Sequence, residues 1–154
     1  MSVPTSLPGL NVRESITDAL YRAILGFDLE DSALFDSAFI PEATFDLNGR
    51  LMTGLKAIHT DCYDNVSKMD TTHFMSNIRV NYKDGESTAS MTASSLAQHY
   101  RRGEGTKPDA TRLLGGGLYF LDLVKDTKDN LWKITHWRAK IVWTEGDYGV
   151  IRGE

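Results

Sequence analysis

Thr71-Thr-His-Phe-Met-Ser-Asn-Ile-Arg-Val-Asn-Tyr82 is the stretch at which the hydrophobic pattern of this 154-residue chain changes period. Upstream, apolar residues recur every three or four positions, as on one face of a helix; from Thr71 onward they alternate, as on a pleated strand. Four long strand candidates follow, rich in Thr, Tyr, Val, Ile and Trp: Thr71 to Tyr82, Ser87 to Tyr100, Arg112 to Lys125 and Leu131 to Thr144. Lys83-Asp-Gly-Glu86 and Asp126-Thr-Lys-Asp-Asn130 read as tight turns, and Arg101 to Thr111 as a longer polar loop. Successive hairpins predict antiparallel pairing throughout.

Before the switch, Asn11 and Glu14 form a capping-box pattern, and Val12, Ile16, Leu20, Ala23, Ile24 and Phe27 predict a first helix from Val12 to Leu25. Gly26 and the acidic turn Asp28-Leu-Glu-Asp31 lead to a shorter helix carrying Leu34, Phe35, Ala38 and Phe39, which Pro41 is expected to end. Asn48-Gly49 predicts a type I′ hairpin between two small strands. A third helix begins at Thr53 or Gly54, with Leu55, Ile58, Cys62, Val66 and Met69 on one face. Three helices followed by a strongly curved antiparallel sheet make an α+β domain, with an apolar cavity between sheet and helices. The predicted organisation is an extension over residues 1–10, one domain over 11–148 and a tail over 149–154.

Length and composition agree with one domain and one sizeable core. With 17 Lys and Arg against 21 Asp and Glu, the net charge of −4 offers no field for a phosphate backbone, so nucleic acid is not an expected partner. The single cysteine, Cys62, excludes an internal disulfide and a Cys-x-x-Cys motif. No stretch approaches a bilayer span, so a soluble, cytoplasmic protein without membrane partners is expected. Leu114-Gly-Gly-Gly-Leu118 leads into a strand rather than a helix, which argues for a bulge or bend and against a phosphate loop. No His, Cys and carboxylate spacing supports a metal site.

Gly26-Phe-Asp-Leu-Glu-Asp31, Thr71-Thr-His-Phe-Met-Ser-Asn77 and Leu131-Trp-Lys-Ile134, in this order, resemble the SnoaL-like branch of the NTF2-like superfamily, and within it the scytalone dehydratase group of small lyases and isomerases. The resemblance implies a cone of curved sheet closed by helices. It implies an acid–base pair at Asp28 and His73, with a second histidine at His99. Phe27 and Leu47 fall where that group has water-holding tyrosines, Tyr119 falls near its hydroxyl-gripping asparagine, and Ile141 to Tyr148, with Trp143, resembles the stretch that closes the pocket mouth.

A histidine held by a carboxylate can take a proton next to a carbonyl, provided a donor serves the developing oxyanion. With that chemistry, the resemblance implies a cofactor-independent dehydratase or isomerase acting on a small, hydrophobic, oxygenated ring compound of secondary metabolism. His73 is the base, Asp28 orients it, and His99 or Tyr119 assists at the oxygen. The other readings are a non-catalytic small-molecule binder and, more remotely, an epoxide hydrolase, which needs paired carboxylates. Asp28 and Asp31 also fit a helix cap and its partner, and His99 also fits a solvated edge. Arg138, alternating with Trp137, is expected either in the cavity as an anion or carbonyl anchor, or on the surface. The aromatic C-terminal strand and an uncovered sheet face predict a homodimer or homotrimer.

Overall fold

The first helix, α1 (Val12–Asp28), starts as its sequence dictates: the Asn11 side chain accepts from the Glu14 amide and the Glu14 carboxylate accepts from the Asn11 amide, both at 2.9 Å. These are contacts of a computed structural model that describes residues 3–154; residues 1–2 of the expected extension lie outside the described residues. Ile16, Leu20, Ala23, Ile24 and Phe27 form the buried stripe. The helix runs three residues past the expected Leu25. Gly26 does not stop it but lets Phe35 approach: a Cβ there would lie 2.6 Å from Phe35 Cβ. Phe35 belongs to α2 (Ser32–Ser37), which Asp31 caps by accepting from the Leu34 amide at 3.0 Å. Arg22, 3% exposed, ties α1 to its neighbours by donating to the carbonyls of Ser37 and Trp132.

Pro41 does not end α2. It lies inside β1 (Phe39–Leu47), where the register with the neighbouring strand is irregular between Phe39 and Thr44. A residue without an N–H is tolerated at such an interruption. Asn48 (φ 51°) and Gly49 (φ 90°) then turn the chain into β2 (Arg50–Thr53) with the two positive φ values a type I′ turn needs. The third helix is not one regular α-helix. It consists of α3 (Leu55–Ile58), a π-helical turn (His59–Tyr63) and α4 (Asp64–Val66), and it ends before Met69. Cys62 and Tyr63 are the buried residues of the π-helical turn.

The period-two region forms β3 (Asp70–Asn81), β4 (Thr88–Tyr100), β5 (Arg112–Lys125) and β6 (Trp132–Gly146). The six strands make one sheet in the order β2-β1-β6-β5-β4-β3. All pairs are antiparallel except β1 with β6, which is parallel. The expected all-antiparallel sheet is therefore mixed. Hairpin logic governs strands adjacent in the chain and has no hold on a pair separated by four other strands and helices.

Irregularities shape the sheet and reassign its faces. Asn77 has φ 52° and the β3–β4 register shifts between Ser76 and Arg79. The inward series Thr71, His73, Met75 therefore continues with Ile78 and Val80, not with Asn77 and Arg79 as strict alternation requires. The triple glycine does sit at a register shift, between Gly116 and Gly117. The outer face exposes Phe74, Leu96, Leu118 and Trp143, on neighbouring strands. Residues 149–154, expected as a tail, carry α5 (Gly149–Arg152), with Val150 2% exposed and the Ile151 carbonyl accepting from Asn65 at 2.8 Å. Among the described residues no helix is long and apolar enough to cross a membrane.

Gly26→Ala sets helix propensity against packing. Alanine is the better helix former by about 1 kcal/mol, but its methyl would overlap Phe35 side chain and backbone, and overpacking of this kind costs about 1–3 kcal/mol. The substitution is expected to lower the urea midpoint; an unchanged or higher midpoint would show that α2 yields freely.

Candidate active site

Small residues on the inner sheet face leave room for a cavity. Ser95 and Ala97 on β4, Gly115 on β5 and Ala139 on β6 line a space of about 210 Å³ between the sheet and the α3–α4 segment. A cavity of about 150 Å³ accepts benzene, so this one has room for a somewhat larger ring compound. Its lining is mostly apolar, including Phe27, Phe45, Leu47, Leu113 and Ile141, with Tyr148 and Ile151 contributed by the C-terminal segment.

His73 and His99 enter the cavity from adjacent strands, since Thr71 pairs with His99 and His73 with Ala97. Behind His73 stands Asp28, the last residue of α1. Its Oδ1 accepts from His73 Nδ1 at 2.6 Å and from the Thr71 hydroxyl at 2.8 Å, while Oδ2 accepts from the His73 amide at 2.9 Å. The pair is well buried, with side-chain exposures of 6% for His73 and 13% for Asp28. A carboxylate bonded to Nδ1 fixes that nitrogen as the protonated one and leaves Nε2 with its lone pair. Phe27 stacks on the imidazole, ring centroids 5.5 Å apart. The alternative capping role of Asp28 is not realised, because Asp31 caps α2 itself.

His99 meets His73 edge to face at 5.5 Å. Its Nδ1 donates to the Leu113 carbonyl at 3.1 Å, so in the neutral ring Nε2 is an acceptor. Burial, reinforced by the neighbouring His73, lowers the His99 imidazole to about 4. At neutral pH this ring can accept a hydrogen bond but has no Nε2 proton to give to an oxygen. Tyr119 is the opposite case: burial pushes its hydroxyl up to about 12, against hydrogen bonding with Ser95, so it remains a donor. Burial likewise pushes the Cys62 thiol up to about 12, which argues against a nucleophilic thiolate.

Of the residues singled out from sequence, His73, His99, Phe27, Leu47 and Tyr119 line the cavity and Asp28 backs it. Arg138 and Trp143 do not reach it. Arg138 alternates with the inward Trp137 and lies on the outer face, its guanidinium 4.2 Å over the Phe120 ring. Trp143 would share the inward side with Trp137, Ala139 and Ile141 by strict alternation. The register shift that pairs Gly116 with Trp143 and Gly117 with Ile141 turns it outward over Gly116, where it is 47% exposed. The remaining histidines are held elsewhere, His59 by Asp36 and His136 by Thr44.

Trp137, one of the aromatic residues of the C-terminal strand, lines the cavity, as do Ser95, Asn65, Arg50 and Asp61, which the sequence reading misses. The alternation of Ala93, Ser95, Ala97 and His99 along β4 is a readable signal of a hollow ending in a polar group. Nothing in the sequence marks Asn65 or Arg50. Among the described residues, no group of three or more His, Cys, Asp and Glu side chains could hold a metal ion.

A SnoaL-like domain model matches residues 8–138. The chain is 51% identical over 150 residues to terrestric acid biosynthesis cluster protein E of Penicillium crustosum, covering 97% of this chain and 96% of that protein. Its fold is similar to that of a candidate scytalone dehydratase from Novosphingobium aromaticivorans DSM 12444 (TM-score 0.73, 19% identity, 88% of this chain and 87% of that one). It is also similar to hexachlorocyclohexane dehydrochlorinase LinA-type3 from Novosphingobium barchaimii LL02 (TM-score 0.68, 17% identity, 90% and 91%). An NTF2-like superfamily protein from Salmonella enterica serovar Typhimurium LT2 shares the same α+β cone (TM-score 0.70, 18% identity, 84% and 90%).

The lowered His99 imidazole makes stability depend on pH. Between about 4 and its ordinary value of about 6.5, the unfolded chain binds more protons at this site than the folded one. The stability this residue contributes at neutral pH is therefore lost as pH falls through that window, by about 3 kcal/mol at most. Urea titrations at about pH 7 and about pH 4 should show the parent losing more stability than His99→Gln; equal losses would mean that His99 titrates normally.

Proposed function

The chain belongs to the SnoaL-like domain family, and from that premise we propose that it is a lyase or isomerase working without a cofactor by His–Asp acid–base catalysis. The substrate is a small, hydrophobic, oxygenated ring compound of secondary metabolism. The observation that carries the reading is the Asp28–His73 pair: a carboxylate outside the cavity bonded to Nδ1 of an imidazole that lines it. The 51% identity to a protein named for a biosynthetic cluster supports a place in the making of a small metabolite.

In this reading His73 Nε2 removes a proton from the carbon next to a carbonyl, and the freed electron pair moves to the carbonyl oxygen. Asp28 stabilises the resulting imidazolium, as the orienting acid does in hydrolytic triads. The Tyr119 hydroxyl donates to the oxygen as its charge grows. His99, an acceptor at neutral pH, accepts a hydrogen bond from a substrate hydroxyl, which keeps its proton. If the adjacent carbon bears that hydroxyl, the enolate collapses, a carbon–carbon double bond forms, and the departing group takes the proton back from His73 as water. If it bears none, His73 returns the proton to a different carbon and the product is an isomer. No electrons are exchanged with a second reactant in either outcome. An epoxide hydrolase is less well supported, because Asp28 stands behind His73 and the carboxylate among the lining residues, Asp61, belongs to the helical turn His59–Tyr63 and not to the strand of the base.

Self-association belongs to the same proposal. The exposed Phe74, Leu96, Leu118 and Trp143 on the outer sheet face supply an apolar surface for a second copy.

The reaction type can be tested before the natural substrate is known. Purified protein incubated in deuterium oxide with cyclic β-hydroxyketones is expected to exchange the hydrogen next to the carbonyl or to expel water, both visible by mass spectrometry. Asp28→Asn and His73→Ala should each slow this by about 10²–10⁴-fold with ligand affinity nearly unchanged. Wild-type-like rates in either variant, or binding with neither exchange nor elimination, would reject the acid–base reading, and the second result would favour a carrier.

A further inference from the structure

Trp137 is 1% exposed and lines the same cavity as His73. Among the described residues, its indole Nε1 is the buried side-chain polar atom left without a hydrogen-bond partner. Buried donors are nearly always paired, and one left unpaired calls for a physical reason. The ring is firmly held: Phe45 stacks on it at 4.1 Å with the planes 8° apart, and Tyr119 meets it edge-on at 5.1 Å. A phenylalanine could make those apolar contacts without burying a donor. What the indole adds is one N–H, and an indole N–H can only donate.

Trp137 pairs with Leu121 and Ala139 with Tyr119, so the indole and the phenol are diagonal neighbours on the inward faces of β6 and β5. Two residues that carry neutral donors thus line a mostly apolar cavity from adjacent strands, neither of them the strand that carries His73. We propose that the Trp137 indole N–H is a substrate-binding donor that, beside the Tyr119 hydroxyl, receives a carbonyl oxygen of a ring compound. The site then selects ketones over their deoxygenated analogues, and the same two donors serve the enolate oxygen formed on deprotonation. The second half of this statement rests on the proposed acid–base function; the first half concerns binding alone.

The test uses two probes of one skeleton, 1-tetralone, which carries a carbonyl, and tetralin, which does not. Trp137→Phe keeps an aromatic ring against Phe45 and removes the N–H. The substitution is expected to weaken 1-tetralone by about 5–10-fold, in line with one neutral hydrogen bond, and tetralin by less than about 2-fold, with the melting temperature held or raised. Equal weakening of both probes, or failure of 1-tetralone to bind the parent, overturns the proposal. A second measurement needs no folded Trp137 variant. In the ¹⁵N-labelled parent, with the other two indole signals assigned through Trp132→Phe and Trp143→Phe, 1-tetralone should move the Trp137 Nε1–H resonance downfield and tetralin should not. An indole signal that responds alike to both overturns it as well. Because neither readout needs turnover, selective binding of the ketone without hydrogen exchange would leave this inference standing and remove the acid–base function.

Discussion

The carboxylate of Asp28 accepts three hydrogen bonds from two residues of β3: the Thr71 hydroxyl, the His73 amide and the His73 imidazole. Bonds to an ionised acceptor are the strong ones, worth roughly twice their neutral counterparts. Two of them fasten the end of α1 to the first long strand. The third orients a side chain that the strand alone would leave free to rotate. Helix docking and imidazole orientation are thus one event, and the cavity acquires an imidazole of defined tautomer wherever α1 packs correctly. Phe27, one residue earlier, stacks on that ring and adds the apolar wall that keeps water from competing.

The hollow in front of this pair comes from what the sheet omits. Ser95, Ala97, Gly115 and Ala139 present little volume where large inward residues would fill the space, while Met91, Leu121, Leu123, Trp132 and Ile134 close the other end as solid core. The two imidazoles stand side by side, and burial with the proximity of His73 lowers His99, so a proton on His73 disfavours a second one on His99. The neutral donors Tyr119 and Trp137 belong to different strands from the base. Acceptors and donors therefore come from different strands around an apolar space, the separation on which the proposed proton transfer relies.

Much of this was legible before any coordinates. The cap at Asn11, the Asn48-Gly49 turn and the change of period at Thr71 are local signals, each set by dihedral or hydrogen-bonding preferences of a few residues. Asp28 and His73 stood out through short motifs and the chemistry their side chains share. Illegible were the features that depend on a partner strand. The outward turn of Trp143 follows from a register shift opposite Gly116 and Gly117, and the inward turn of Ile78 from the bulge at Asn77. One inserted residue reverses every side chain beyond it, and no periodicity count can see the strand that forces the insertion.

By itself, the order of residues determined the capped first helix, the Asn48-Gly49 turn and the four long strands after the change of period, because these depend on interactions within a few positions along the chain, while Asp28 and His73 were marked by their resemblance to family motifs. Only the tertiary structure decided that β1 pairs in parallel with β6, that Arg138 and Trp143 face away from the cavity, that residues 149–152 form a short helix with Val150 buried, and that the Trp137 N–H is sealed without a partner. Those outcomes come from contacts between segments up to a hundred residues apart, where register, burial and the competition for hydrogen-bond partners are settled together.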